Sequence, residues 1–148
     1  MMKVRDIMTT SVESVGPATD LMTVARRMKE LDIGSVPVVE NDRLIGIITD
    51  RDIVIRAVAE GRDLLLEQVR DHLTPNPTTI SPDVDVKKAS ELMAREQIRR
   101  LPVVENGRLV GFLAIGDLAV ELNKDQVVGD ALQKISEPAQ PRSGEGSA

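Results

Sequence analysis

Apolar positions along the chain change their period several times, and each change marks an element. Leu21, Val24, Ala25, Met28 and Leu31 recur at three- and four-residue intervals, which predicts an amphipathic helix with Asp20 as its N-cap. Two β-branched runs follow, Val36–Glu40 and Leu44–Thr49, and the Asn41-Asp42 pair between them predicts a hairpin. A second helix is expected over Asp50–Glu60, with Gly61 as its C-cap. Ahead of these elements, Val12–Val15 reads as a short extended segment. The same order then returns. Thr78–Ile80 is extended, Asp85 stands as an N-cap, and Val86, Ala89 and Met93 are spaced as a helix. The second hairpin carries Asn106-Gly107, the favoured type I′ pair. Its closing helix is expected to begin near Gly116 and to fade by Asn123.

Shifting the sequence by 65 lays residues 4–53 over 69–118 without a gap, and 17 of those 50 positions are identical. Val4-Arg5-Asp6 falls on Val69-Arg70-Asp71, Pro37–Asn41 on Pro102–Asn106, Gly46 on Gly111 and Asp52 on Asp117. That is a tandem duplication, to be recognised before any local reading. Each unit is β-α-β-β-α and has too few elements to close a core alone. The expected fold is therefore α/β, more narrowly α+β, with the two units packed sheet to sheet as a pseudo-twofold pair. Residues 1–65 form the first repeat, 66–135 the second, and 136–148 a flexible tail rich in Pro, Ser, Gly and charge. A final helix ending near Ile135 is expected to cover the second repeat as the linker 62–73 covers the first.

Composition narrows the function. With 148 residues, 41% apolar and 29% charged, the chain is an ordinary globular length and mixture. It holds no cysteine and only His72 as a histidine, which excludes thiolate chemistry and leaves no imidazole pair for a metal. A net charge of −5 disfavours a dedicated nucleic-acid binder, and Phe112 as the sole aromatic leaves no base-stacking platform. There is no apolar run of membrane length and no leader pattern, so the expected setting is cytoplasmic. Gly-rich phosphate loops, nucleophile elbows and zinc signatures are missing too. The chain reads as a non-enzyme.

Ile33-Gly34-Ser35-Val36-Pro37-Val38-Val39 followed by Gly46-Ile47-Ile48-Thr49-Asp50-Arg51-Asp52 resembles the cystathionine-β-synthase (CBS) domain. The second copy reads Ile98-Arg99-Arg100-Leu101-Pro102-Val103-Val104, then Gly111-Phe112-Leu113-Ala114-Ile115-Gly116-Asp117. The resemblance covers residues 1–135, and a chain that is only such a pair looks like a free-standing Bateman module. It implies a dimerising, generally non-catalytic regulatory module whose two clefts hold adenosine-containing ligands. Candidates are AMP, ADP, ATP, S-adenosylmethionine or an NAD-type molecule, with AMP or ATP foremost and no obligatory cofactor. An unidentified regulated protein is the implied partner.

The residues can be weighed independently. A carboxylate accepts hydrogen bonds from both hydroxyls of a ribose. Asp52, three residues after Thr49, stands at a helix start whose unpaired N–H groups favour phosphate. The same Thr-x-x-Asp spacing is also a capping box that simply holds the helix. In the family, the carboxylate of one repeat faces the pre-proline positions of the other. Thr49, Arg51 and Asp52 are thereby set against Arg99 and Arg100. Resemblance to nucleotide-binding kinase γ subunits places phosphate-binding basic residues there, and a guanidinium fork suits phosphate. The alternative is a solvated helix-end arginine pair. Ile48 and Pro102 complete this principal cleft, and the adenine is expected between the backbone segments around Ser81–Val86 and Ile98. The second cleft combines Gly16, Gly34, Ser35 and Pro37 with Ala114 and Asp117. It lacks the basic pair and is expected to be weaker. His72 is read as a linker residue, and Asp50/Asp52 and Asp83/Asp85 as helix-start acids. Surplus apolar residues on Asp50–Glu60 point to a homodimer. The competing function is a structural dimerisation module with vestigial clefts.

Overall fold

The computed structural model describes residues 1–121. The expected final helix to Ile135 and the tail lie outside them. Helix α1 spans Leu21–Leu31, and its N-cap Asp20 accepts a hydrogen bond from the backbone N–H of Thr23. Strands β1 (Ser35–Glu40) and β2 (Arg43–Thr49) form the first hairpin. Asn41 and Asp42 have φ of 52° and 65°, the left-handed pair that a type I′ turn requires, although neither is glycine. Asn106 and Gly107 match them at 53° and 80°.

The helix expected over Asp50–Glu60 is shorter and mixed. It begins as α2, Asp50–Ile53, and widens into a π-helical turn over Val54–Val58. Gly61 follows at φ 71°, the left-handed conformation expected of a residue that stops a helix. A two-residue strand β3 (Thr74–Pro75) precedes α3 (Val86–Glu96), which Asp85 caps. Then come β4 (Arg100–Glu105), β5 (Arg108–Ala114) and α4 (Ile115–Glu121). The extended segments at 12–15 and 78–80 reduce to single parallel bridges, Val15 to Val38 and Ile80 to Val103.

The two hairpins share one register. Each has a bulge, at Val38/Val39 and at Val103/Val104, and the first residue of β1 or β4 pairs with the last of β2 or β5. They meet edge to edge through Arg43 and Arg108, which joins β1-β2-β5-β4 into one sheet with β3 against β2. That edge contact is the form the sheet-to-sheet pairing takes.

The opening segments of the two units are exchanged. Val4 and Arg5 donate backbone hydrogen bonds to Val84 and Pro82, and Val69 and Arg70 donate to Thr19 and Pro17, the same contacts 65 residues on. Thr9 is bridged to Phe112 as Thr74 is to Ile47. Accordingly Val4 is fully buried in the core of the second unit, with Val86, Ala89, Met93, Leu101, Leu113 and Leu118. Val69 is buried in the first, with Leu21, Val24, Val36, Val38 and Ile48. Each half therefore closes its core with a piece of the other. The linker does cover the first repeat, through Leu21 N–H to the Glu67 carbonyl and Met22 N–H to that of Leu64. His72 sits in this stretch as expected, but its ring is buried, with Nε2 3.2 Å from Glu67 Oε1.

Candidate ligand cleft between the repeats

In both units the chain entering the pre-proline strand is tied to the start of the closing helix. Asp50 N–H donates to the Gly34 carbonyl at 2.9 Å, and Ile115 N–H to the Arg99 carbonyl at 2.8 Å. At Gly34 a side chain would crowd Asp50, whose Oδ2 would stand 3.1 Å from a Cβ. Three residues into each helix a carboxylate turns back on the strand end. Asp52 Oδ2 accepts from Thr49 N–H at 3.0 Å, while Thr49 Oγ1 accepts from Asp52 N–H at 3.0 Å. Asp117 Oδ2 accepts from Ala114 N–H at 3.0 Å. Ala114 has no hydroxyl to return, so the second box is half built. The helix-capping role is thus real at both positions, and it occupies one oxygen of each carboxylate.

The two carboxylates differ in their other neighbours. Asp52 is buried; Arg56 Nε lies 3.7 Å from its Oδ1 and Thr74 Oγ1 lies 3.5 Å from its Oδ2. Arg56 also donates through Nη1 to the His72 carbonyl at 3.1 Å, so Asp52 is tied to the linker. Among the described residues no hydrogen bond reaches Oδ1 of Asp117.

A cleft of about 360 Å³ opens at Asp117. It is lined by Ser35 and Pro37 of β1, Arg100 of β4, Phe112 and Ala114 of β5, and by Leu31 at the end of α1 and Ile33 after it. Thr9, Ser11, Val12 and Glu13 of the exchanged opening segment close the remaining side. Glu13 is paired with Arg27 at 3.1 Å, which offsets its charge at the rim. The cleft therefore offers two carboxylates, Asp117 and the ion-paired Glu13, one guanidinium, several hydroxyls and a largely apolar wall that includes the only aromatic ring of the chain. Such a lining suits a flat heterocycle joined to a polyol and an anion.

Four of the residues expected in the second cleft, Ser35, Pro37, Ala114 and Asp117, come together here; Gly16 and Gly34 are not in the lining. Arg100, set by the sequence against Thr49 and Asp52, lines this cleft beside Asp117. Arg51, Ser81 and Arg99 are exposed and Ile98 is half-buried. Ile48 and Val86 are sealed in the two cores and Pro102 is buried, so the first two serve packing and offer a ligand no side chain. Sequence reasoning missed Phe112 as a wall, although strand alternation shows it: Phe112 shares the half-buried face of Ala114, two residues on. Thr9–Glu13 carry no such signal, because only the exchange of segments brings them to the cleft.

A duplicated β-α-β-β-α unit with a polar cleft at the pre-proline strands and helix starts defines a class of tandem ligand-binding modules. The CBS domain profile matches the chain twice, over residues 4–58 and 69–124. The chain belongs to the CBS domain family. CBS domain-containing protein YhcV of Bacillus subtilis is 42% identical over 136 residues, covering 92% of this chain and 96% of that protein. Hypoxic response protein 1 of Mycobacterium tuberculosis is 34% identical over 129 residues, 86% of this chain and 90% of that one. A crystal structure of Hypoxic Response Protein I, described with two coordinated zinc ions, superposes with a TM-score of 0.73 at 34% identity, covering 82% of this chain and 99% of that one. A hexameric CBS-CP12 protein from bloom-forming cyanobacteria has a TM-score of 0.65 at 27% identity, over 86% of this chain and 74% of that one. Proteins of this kind are generally regulatory or ligand-binding modules, and self-association occurs among them.

Proposed function

We propose that this protein is a cytoplasmic, homodimeric regulatory module that binds an adenosine-containing ligand between its CBS repeats and signals its presence to a partner protein. The observation that carries the reading is the meeting of Asp117, Arg100 and Phe112 in one cleft. Asp117 accepts the ribose hydroxyls, Arg100 takes a phosphate, and the adenine lies against Phe112, Pro37 and Ile33. AMP and ATP fit this division best, because each supplies the anion that a lone guanidinium needs. On the opposite side, Thr49 and Asp52 offer the same ribose chemistry once Arg56 yields Asp52 Oδ1. No covalent chemistry is assigned. Zinc, named for the mycobacterial relative, is not part of the proposal: the chain has no cysteine and one histidine, and among the described residues no group of three His, Asp or Glu side chains converges.

The test is a thermal-shift panel of AMP, ADP, ATP, S-adenosylmethionine and NAD. A ligand at one hundred times its dissociation constant stabilises by about 2.7 kcal/mol, on the order of 10 °C for a chain of this size. No shift with any member of the panel at millimolar concentration refutes the reading.

One observation favours the dimerisation reading alongside it. Val54, Ile55 and Val58 are each 52% exposed and Val120, the image of Ile55 in α4, is 74% exposed. An exposed apolar patch on the closing helix of the first repeat, with Val120 echoing Ile55 in the second, fits a second copy of the chain. None of these four residues lines the cleft at Asp117, so the two readings are compatible.

A further inference from the structure

The internal symmetry has a consequence for charge. Exchange by 65 residues carries Asp117 to Asp52, Ala114 to Thr49, Phe112 to Ile47 and Thr9 to Thr74. The equivalence is structural: Thr9 pairs with Phe112 as Thr74 pairs with Ile47, and Thr74 Oγ1 stands 3.5 Å from Asp52 Oδ2. Ser35 and Arg100 are each other's images, as their pairings with Thr49 and Ala114 show, and both line the cleft at Asp117. The exchange maps this pair onto itself. Position 35 and position 100 therefore belong to both clefts, and at these two positions only one guanidinium is present.

We infer that Arg100 is common to the two clefts, so that the chain holds one phosphate-bearing nucleotide tightly while accommodating two phosphate-free adenosine ligands. The inference rests on the reading of the clefts as adenosine sites. A planar guanidinium makes its bidentate bond to one phosphate at a time. A second phosphate, entering the opposite cleft, meets the Ser35 hydroxyl in place of a guanidinium at that position, while Arg56, the guanidinium beside Asp52, is held by the His72 carbonyl. Losing a charged hydrogen bond weakens binding by roughly tenfold or more. The two ribose carboxylates are unaffected, so adenosine is not subject to this limit. The chain would then report the ratio of a charged to an uncharged adenosine ligand and not simply the concentration of one.

Isothermal titration of the full chain with AMP and, separately, with adenosine tests this. The parent is expected to bind adenosine at two per chain and AMP at one, the second AMP at least tenfold weaker than the statistical ratio. Ser35→Arg, which gives each cleft its own guanidinium, is expected to raise tight AMP binding to two per chain. Arg100→Ser, a change at an exposed strand end, is expected to abolish the tight AMP event while adenosine still binds at two per chain. Two equal AMP sites in the parent, or folded Ser35→Arg still binding one, overturns the shared arginine. An unaltered AMP isotherm in Arg100→Ser does the same. Binding of neither adenosine nor AMP by the parent overturns the adenosine reading itself, a distinct failure.

Discussion

Gly46→Ala probes the exchanged segments, because the atoms nearest a methyl group at Gly46 belong to the far unit's opening segment. Its Cβ would lie 2.6 Å from the Thr74 carbonyl oxygen and 2.6 Å from Leu73 Cδ1. Leu73 can turn aside, but Thr74 offers backbone, so β3 must retreat from β2. That retreat strains the Gly46–Pro75 and Ile47–Thr74 pairings. Overpacking of this kind costs about 1–3 kcal/mol, and a weakened backbone hydrogen bond adds roughly 1 kcal/mol. The expected loss is about 2–4 kcal/mol. Gly111→Ala meets Met8 Sδ at 2.5 Å and the Thr9 carbonyl oxygen at 3.1 Å. The nearest obstacle there is a flexible side chain, so the expected loss is smaller, about 1–2 kcal/mol. Gly116→Ala is the control. It lies in α4 with nothing within 4 Å of its Cβ, and alanine there should stabilise by up to about 1 kcal/mol. Urea denaturation at 25 °C followed by far-UV circular dichroism measures all three. The reasoning is refuted if Gly46→Ala is as stable as the parent, or if Gly116→Ala is the most damaging of the three.

Acid should weaken the fold at two other points, the Arg5–Asp83 contact and the α1 N-cap. Bonding to Arg5 holds the Asp83 carboxyl below the usual carboxylate range, and bonding to Thr23 does so for Asp20. Groups whose folded pKa is depressed stabilise fully above the unfolded value near about 4 and lose that contribution as pH falls through the folded values. Melting temperature should therefore drop as pH is lowered below about 4, and Asp83→Asn should show a shallower drop and a lower melting temperature at pH 7; an identical profile contradicts the role of the Arg5 pair. Replacing Ile55 and Val58 by Glu should leave the circular dichroism spectrum intact and halve the mass seen by light scattering at micromolar concentration; an unchanged mass shows that the copies meet elsewhere.

Local grammar was readable in the residues, and so was the duplication. Asp20 and Asp85 cap their helices, Asn41-Asp42 turns like Asn106-Gly107, and each Thr-or-Ala-x-x-Asp closes on its strand. These depend on neighbours within four residues. What escaped depends on distance. Val4 bonds to Val84, eighty positions on, and nothing near Val4 indicates that its core is the other repeat's. The π-helical turn at Val54–Val58 likewise has no residue signature; Arg56 inside it spans from Asp52 to the His72 carbonyl, a contact formed only after the linker has docked. At the cleft, the two aspartates were legible from spacing as helix-start caps, and the pre-proline arginine only through the family resemblance. Their partners were not. Arg100 was set on the Asp52 side, and it lines the cleft at Asp117.

The central claim, an adenosine-type ligand seated against Phe112 and Asp117, can be observed at one atom. Phe112 is the only aromatic residue in the chain, so incorporation of 4-fluorophenylalanine yields a single fluorine resonance placed in the cleft wall. Titration with AMP is expected to move or broaden that resonance saturably, and Asp117→Ala is expected to raise the AMP concentration required by roughly tenfold or more. A resonance unmoved by millimolar AMP, ATP and adenosine contradicts the account.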